Sequence, residues 1–230
     1  MRPLLGYSRT LIVTAVAAER ESVLAGLGLG EQGPEALEEG APVVVVAGGV
    51  GPAASAAATS QHLTTAMHMG PAFDLVLSAG IAGGFAGRVE IGGLVVATES
   101  IAADLGAEGP DGFLSVDELG FGSSRLDADP QLLRTLRLAL PEAVGGPVLT
   151  VSTVTGSTQS KELVQKRHPD AVAEGMEGFG VASAARLWPG TAFGEIRTVS
   201  NAVGPRDRAA WRIPQALSVL REVFGALAAR

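Results

Sequence analysis

The 230-residue sequence contains no cysteine and only three histidines, His62, His68 and His168. The first absence excludes a disulfide framework and a thiolate metal site, and the wide scatter of the histidines speaks against a zinc cluster, so no metal and no cofactor is expected. Long apolar runs are missing too. No window approaches the roughly 20 residues that cross a bilayer, and the opening stretch, Met1-Arg-Pro-Leu-Leu-Gly-Tyr-Ser-Arg9, is too briefly apolar for a signal peptide. The expectation is a cytoplasmic protein with no membrane partner. Positive charge is in deficit, with 17 Lys and Arg against 24 Asp and Glu and a net charge of −7, which argues against a nucleic-acid partner. Hydrophobic residues make up 47% of the chain, too many for disorder, and the length suits one α/β domain over residues 1–230.

What is present is an alternation of two patterns. Apolar runs bounded by Gly, Pro or charge occur at Thr10–Ala17, Pro42–Ala47, Asp74–Ala79, Gly93–Ala97, Pro147–Thr153 and Ala192–Val199, each reading as a buried strand. Helical spacing appears at Ala53–Met69, Gln131–Leu140, Met176–Leu187 and Ile213–Leu227. Strand and helix in turn predict a mostly parallel sheet covered on both faces. Residues 99–128, rich in Gly, Asp, Glu and Ser, read instead as a long surface excursion.

Glu177 stands out in the stretch Glu174–Ala185, an acidic residue carried into a segment otherwise made of small and apolar residues. A buried carboxylate requires a partner; two adjacent sugar hydroxyls would serve, and so would the free N–H groups of a helix start. Glu19 follows the first strand at the edge where open α/β sheets bind ligands, although an ordinary first-turn carboxylate is the plainer explanation. Gly49-Val-Gly-Pro-Ala-Ala54 satisfies a loose dinucleotide pattern, but it lies in the second βα unit and the acid at the right distance, Asp74, begins a strand. A tight turn explains it better. Ser78-Ala-Gly-Ile-Ala-Gly-Gly84 brings bare backbone to the sheet edge, for ligand approach or for packing. Asn201, after Ser200, suits either an Asx-turn or a site. His168, beside Pro169, reads as a surface residue, and Phe179 and Trp211 read as packing.

In this order and spacing, the Glu19 segment, Gly48-Gly-Val-Gly51, Ser78–Gly84, the Met176-Glu177 pair and Val199-Ser-Asn201 with Gly204–Trp211 resemble the purine nucleoside phosphorylase and nucleosidase superfamily. The resemblance implies a three-layer αβα sandwich around a mixed, partly barrel-like sheet, a homodimer or larger homo-oligomer, and a purine nucleoside plus water as partners. It also implies roles. Glu177 would bind the ribose hydroxyls with Met176 against the sugar, and Glu19 would orient the attacking water. Asn201 falls where the methylthioadenosine/S-adenosylhomocysteine nucleosidases have an aspartate that protonates adenine. An amide cannot supply that proton but can donate to N7 or a 6-oxo group, which fits release of hypoxanthine. Gly80, Ile81, Thr153, Val154, Phe179, Ser200 and Arg197 complete the implied substrate pocket. The arginine that phosphorylases carry ahead of the Gly-rich loop is replaced by Val76-Leu-Ser78, which points to water as nucleophile. Adenine-releasing nucleosidases and phosphorylases remain the alternatives.

Overall fold

The structure, a computed structural model, describes residues 3–33 and 40–230. Its strands are β1 (Thr10–Thr14), β2 (Val43–Ala47), β3 (Leu75–Gly84), β4 (Leu94–Ala102), β5 (Gly106–Gly109), β6 (Gly112–Ser115), β7 (Arg125–Asp127), β8 (Val144–Thr150), β9 (Ala173–Gly175) and β10 (Ala192–Ala202). Its helices are α1 (Ala17–Gly26), α2 (Pro52–Met69), α3 (Pro130–Ala139), α4 (Thr158–Arg167), α5 (Gly178–Ala185) and α6 (Ile213–Ala228).

The main sheet runs β10-β4-β8-β9-β3-β1-β2, and an additional β10–β3 pairing closes β3, β10, β4, β8 and β9 into a ring. It is mixed. β1, β2, β3 and β10 run parallel, whereas β10 meets β4 and β9 meets β3 antiparallel. Side chains alternate faces along a strand, so Ile12, Leu75 and Leu77 face α1, α3 and α6 through Val23, Leu132, Leu220 and Phe224. Leu11, Val13 and Val76 face the other way, onto Leu63 of α2 and Val181 and Ala182 of α5. The result is the three-layer αβα sandwich around a mixed, partly barrel-like sheet that the resemblance implied.

The differences from the sequence reading have local causes. β1 stops at Thr14 because the Glu19 carboxylate accepts the N–H groups of Ala15 and Val16 and turns the chain into α1. The strand read as ending at Ala79 runs on through the glycine-rich stretch to Gly84, because β10 pairs with it along its whole length. The helix expected from Met176 starts only at Gly178, since Gly175 is held in β9 opposite Thr150. Residues 99–128 contain the end of β4, the β5–β6 hairpin and β7. His168 is not a surface residue; it is half-buried, and among the described residues neither ring nitrogen has a hydrogen-bond partner.

Candidate active site

Two glutamates and an arginine meet where β1, β3 and β10 approach α5. Glu19 is the third residue of α1, and its Oε2 accepts from Ala15 N at 2.8 Å and Val16 N at 3.2 Å. Its Oε1 reaches across to β3 and accepts from Ile81 N at 2.8 Å. This crossing depends on Gly80. A Cβ there would lie 2.5 Å from Glu19 Oε1 and 2.9 Å from Arg197 Nη1. Glu177 caps α5 by position, with Oε1 accepting from Gly51 N and Oε2 from Met176 N, both at 3.3 Å. Gly51 has φ +94°, a conformation glycine adopts freely, so the turn after β2 is what delivers that N–H.

Arg197, on β10, pairs with Glu177 and with Glu195. Nη1 donates to Glu177 Oε2 at 3.3 Å, Nε to Glu195 Oε1 at 2.8 Å and Nη2 to Ser78 Oγ at 2.9 Å. Burial opposes its charge, but the Glu195 and Glu177 carboxylates, with Glu19 beyond, hold the guanidinium above its ordinary range. Glu195 is itself fully buried and also accepts from the Ser100 hydroxyl. Removing one member of a buried set of this kind costs about 3–5 kcal/mol, because it strands the others' charge.

Asn201 lies elsewhere on the same strand. The pairing of β10 with β3 shifts register between Val199 and Asn201, with Ser200 as the extra residue. The bulge sets Asn201 level with Gly83. The Ser200 hydroxyl is 2.8 Å from Asn201 Oδ1, and Nδ2 donates to Ala202 O at 3.1 Å. With its oxygen engaged by a hydroxyl, the amide presents N–H outward. It opens into a cavity of about 90 Å³ lined by Gly83, Val154, Thr155, Glu174, Trp211 and others. The Arg206 guanidinium covers the Trp211 ring at 5.5 Å.

The implied site residues thus fall in two groups joined by β3. Glu19, Glu177, Arg197, Gly80 and the Ile81 backbone form the first; Asn201, Ser200 and Val154 form the second. Met176 and Phe179 flank Glu177 half-buried and belong to none of the four apolar clusters; Phe179 N donates to Thr150 Oγ1. Thr153 departs from the implied arrangement: it is exposed, and Thr155 takes the place at the cavity. Trp211, read as packing, lines the cavity instead. Sequence reasoning missed Ser78, Glu195 and Glu174. Glu195 and Arg197 carried a signal, being opposite charges two apart in an apolar strand and hence on one face.

The Phosphorylase superfamily pattern matches residues 35–229. The chain is 48% identical to a futalosine hydrolase of Streptomyces coelicolor over 95% of this chain and 94% of the relative. It is 44% identical to a futalosine hydrolase of Acidothermus cellulolyticus, covering 96% and 91% respectively. Its fold matches that of a Helicobacter pylori futalosine hydrolase with TM-score 0.78 at 17% identity, over 96% of this chain and 97% of the other. A Neisseria meningitidis 5′-methylthioadenosine/S-adenosylhomocysteine nucleosidase gives TM-score 0.77 at 19% identity, over 96% and 98%. The pattern match over most of the chain and the near-full-length relatives place this protein in the Phosphorylase superfamily.

Proposed function

We propose that this protein hydrolyses the N-glycosidic bond of futalosine, releasing hypoxanthine and dehypoxanthine futalosine, as a step of menaquinone biosynthesis. It is an N-glycosyl hydrolase, in keeping with its two near-full-length curated relatives. The observation that carries the choice of base is Asn201, an amide turned by Ser200 so that it offers hydrogen to the cavity.

The glycosidic bond breaks with its electron pair leaving on the base. Asn201 donates to N7 or O6, where that negative charge collects. Glu177, anchored by Gly51 N, Met176 N and Arg197, accepts from the ribose hydroxyls, and Met176 and Phe179 pack beside the sugar. Water adds to the electron-poor sugar carbon and gives its proton to Glu19, which returns it to solvent as the departed base anion takes up a proton to become hypoxanthine. Three backbone N–H groups hold that carboxylate in one orientation, which spares reorganisation as the water attacks. Arg197 supports water rather than phosphate as nucleophile, because its charge is already matched by Glu195 and Glu177.

Incubating the pure protein with futalosine, aminodeoxyfutalosine, methylthioadenosine and inosine, each with and without phosphate, tests this reading. Futalosine should be the best substrate, at a rate indifferent to phosphate. Preference for an adenine nucleoside, or a requirement for phosphate, would displace it.

A further inference from the structure

Glu195 is a fully buried carboxylate to which the cleavage steps above give no part in the chemistry. Three neighbours set its place. Glu195 and Arg197 stand two apart on β10 and so project from one face, paired in register with Ser78 and Gly80 of β3. Glu195 Oε1 accepts from Arg197 Nε at 2.8 Å, and Oε2 accepts from the Ser100 hydroxyl of β4. A Cβ at Gly178 would run into both oxygens, so the carboxylate is seated against the backbone directly after Glu177.

A third buried carboxylate beside Glu19 and Glu177 carries a desolvation cost and adds like charge, so it needs a reason. Arg197 supplies one. Its Nη1 donates to Glu177 Oε2 at 3.3 Å, a longer contact than the 2.8 Å between Nε and Glu195. The same Nη1 lies 2.9 Å from the point above Gly80 that Glu19 Oε1 also approaches. On the reading above, the guanidinium therefore stands beside the sugar that Glu177 holds. A cation there opposes cleavage, because the base leaves with the bonding electrons and the sugar becomes positive in the transition state, while it is neutral in the bound substrate. A carboxylate at 195 makes the pair with Arg197 electrically neutral. Glu177 and Glu19 then face the sugar as two uncompensated negative charges.

Resting on the hydrolase reading above, we propose that Glu195 is a positioning residue that cancels the charge of Arg197, leaving the negative charge of Glu177 to the cationic sugar of the transition state.

The test uses two carbon-linked, uncleavable hypoxanthine nucleoside analogues that differ at one atom of the sugar ring, an oxygen in one and a protonated nitrogen in the other. Calorimetric titration of the intact protein gives the affinity ratio of the cationic to the neutral analogue. Glu195→Gln keeps the size and the oxygen that faces Arg197 but removes the charge, so that ratio should fall about 10-fold or more, the scale of one unit charge at close range in a partly shielded site. On futalosine, kcat should fall by a similar factor with KM within about threefold, since the neutral substrate does not feel the lost charge. A merely structural role would weaken both analogues alike and leave the ratio at its wild-type value; that result overturns the proposal. The double variant Glu195→Gln/Arg197→Gln removes both charges of the pair and guards against a single variant that fails to fold. Its ratio should return to within about threefold of wild type, and a ratio 10-fold or more below wild type would overturn the proposal on its own. If wild type does not cleave futalosine, the substrate reading fails, and the ratios still decide the role of Glu195.

Discussion

Glu19 performs a structural and a chemical task with one carboxylate. It ends β1 by taking two N–H groups at the start of α1, and it reaches Ile81 N on β3 at the proposed water site. Glu19→Gln keeps an oxygen for the Ala15 and Val16 N–H groups, loses the acceptor for Ile81 N–H and loses the base. We expect kcat on futalosine to fall about 10²-fold or more with KM little changed, and near-normal turnover would remove Glu19 from the chemistry. Asn201 is tested by the opposite kind of change. In Asn201→Asp the Ser200 hydroxyl would still donate to an oxygen, but the group turned to the cavity would accept rather than donate. The ratio of kcat/KM for futalosine to that for aminodeoxyfutalosine should drop about 10²-fold, the scale of losing one stabilising donor. A ratio unchanged from wild type would mean that Asn201 does not read the base.

At the scale of elements, glycine decides how closely the site's supports approach one another, and two positions separate site geometry from fold stability. Gly80 on β3 faces only the far ends of flexible side chains, Glu19 Oε1 and Arg197 Nη1. Gly80→Ala should therefore move the carboxylate while leaving the melting temperature within a few degrees, and kcat should fall about 10-fold or more because small misplacements in an active site are costly. Gly180 in α5 faces backbone, the Pro52 carbonyl at the start of α2. Backbone cannot swing aside, so Gly180→Ala should cost about 1–3 kcal/mol of stability by overpacking, measured by urea unfolding. If Gly180→Ala is as stable as wild type while Gly80→Ala unfolds, this division of labour is wrong. These contacts also mark where the sequence was legible. Gly180, Ala182, Ala184 and Ala185 in the helical pattern Met176–Leu187 are small enough for close helix packing, but Gly80 and Gly180 look alike in sequence. What each glycine faces is settled by β10 and α2, far away in the chain.

For the whole molecule, alternating apolar runs were enough to read six main strands and the layers that cover them. Ring closure was not readable from pattern, because it depends on β3 continuing through Ser78–Gly84 to pair with β9 and β10, and glycine carries no strand signal. Glu19, Glu177 and Asn201 were legible as polar residues at strand and helix ends, whereas Glu174 was hidden by its short strand. His168 was misread because the polar run around it resembles a surface. Burial is the main reason its pKa is lowered to about 4, reinforced by the charges of Arg167 and Arg125. A folded-state pKa below the unfolded value of about 6.5 means that the unfolded chain takes the proton first, so stability falls as pH drops from about 6.5 toward 4 and is unaffected by this group at neutral pH. His168→Gln removes the titration. Relative to its own value at pH 7, the variant should retain about 1 kcal/mol more stability than wild type at pH 5, a figure reduced to allow for water at the ring's open edge. Urea unfolding of both proteins at pH 7 and pH 5 measures the difference, and parallel losses in the two would show that His168 takes no part in the acid sensitivity of the fold.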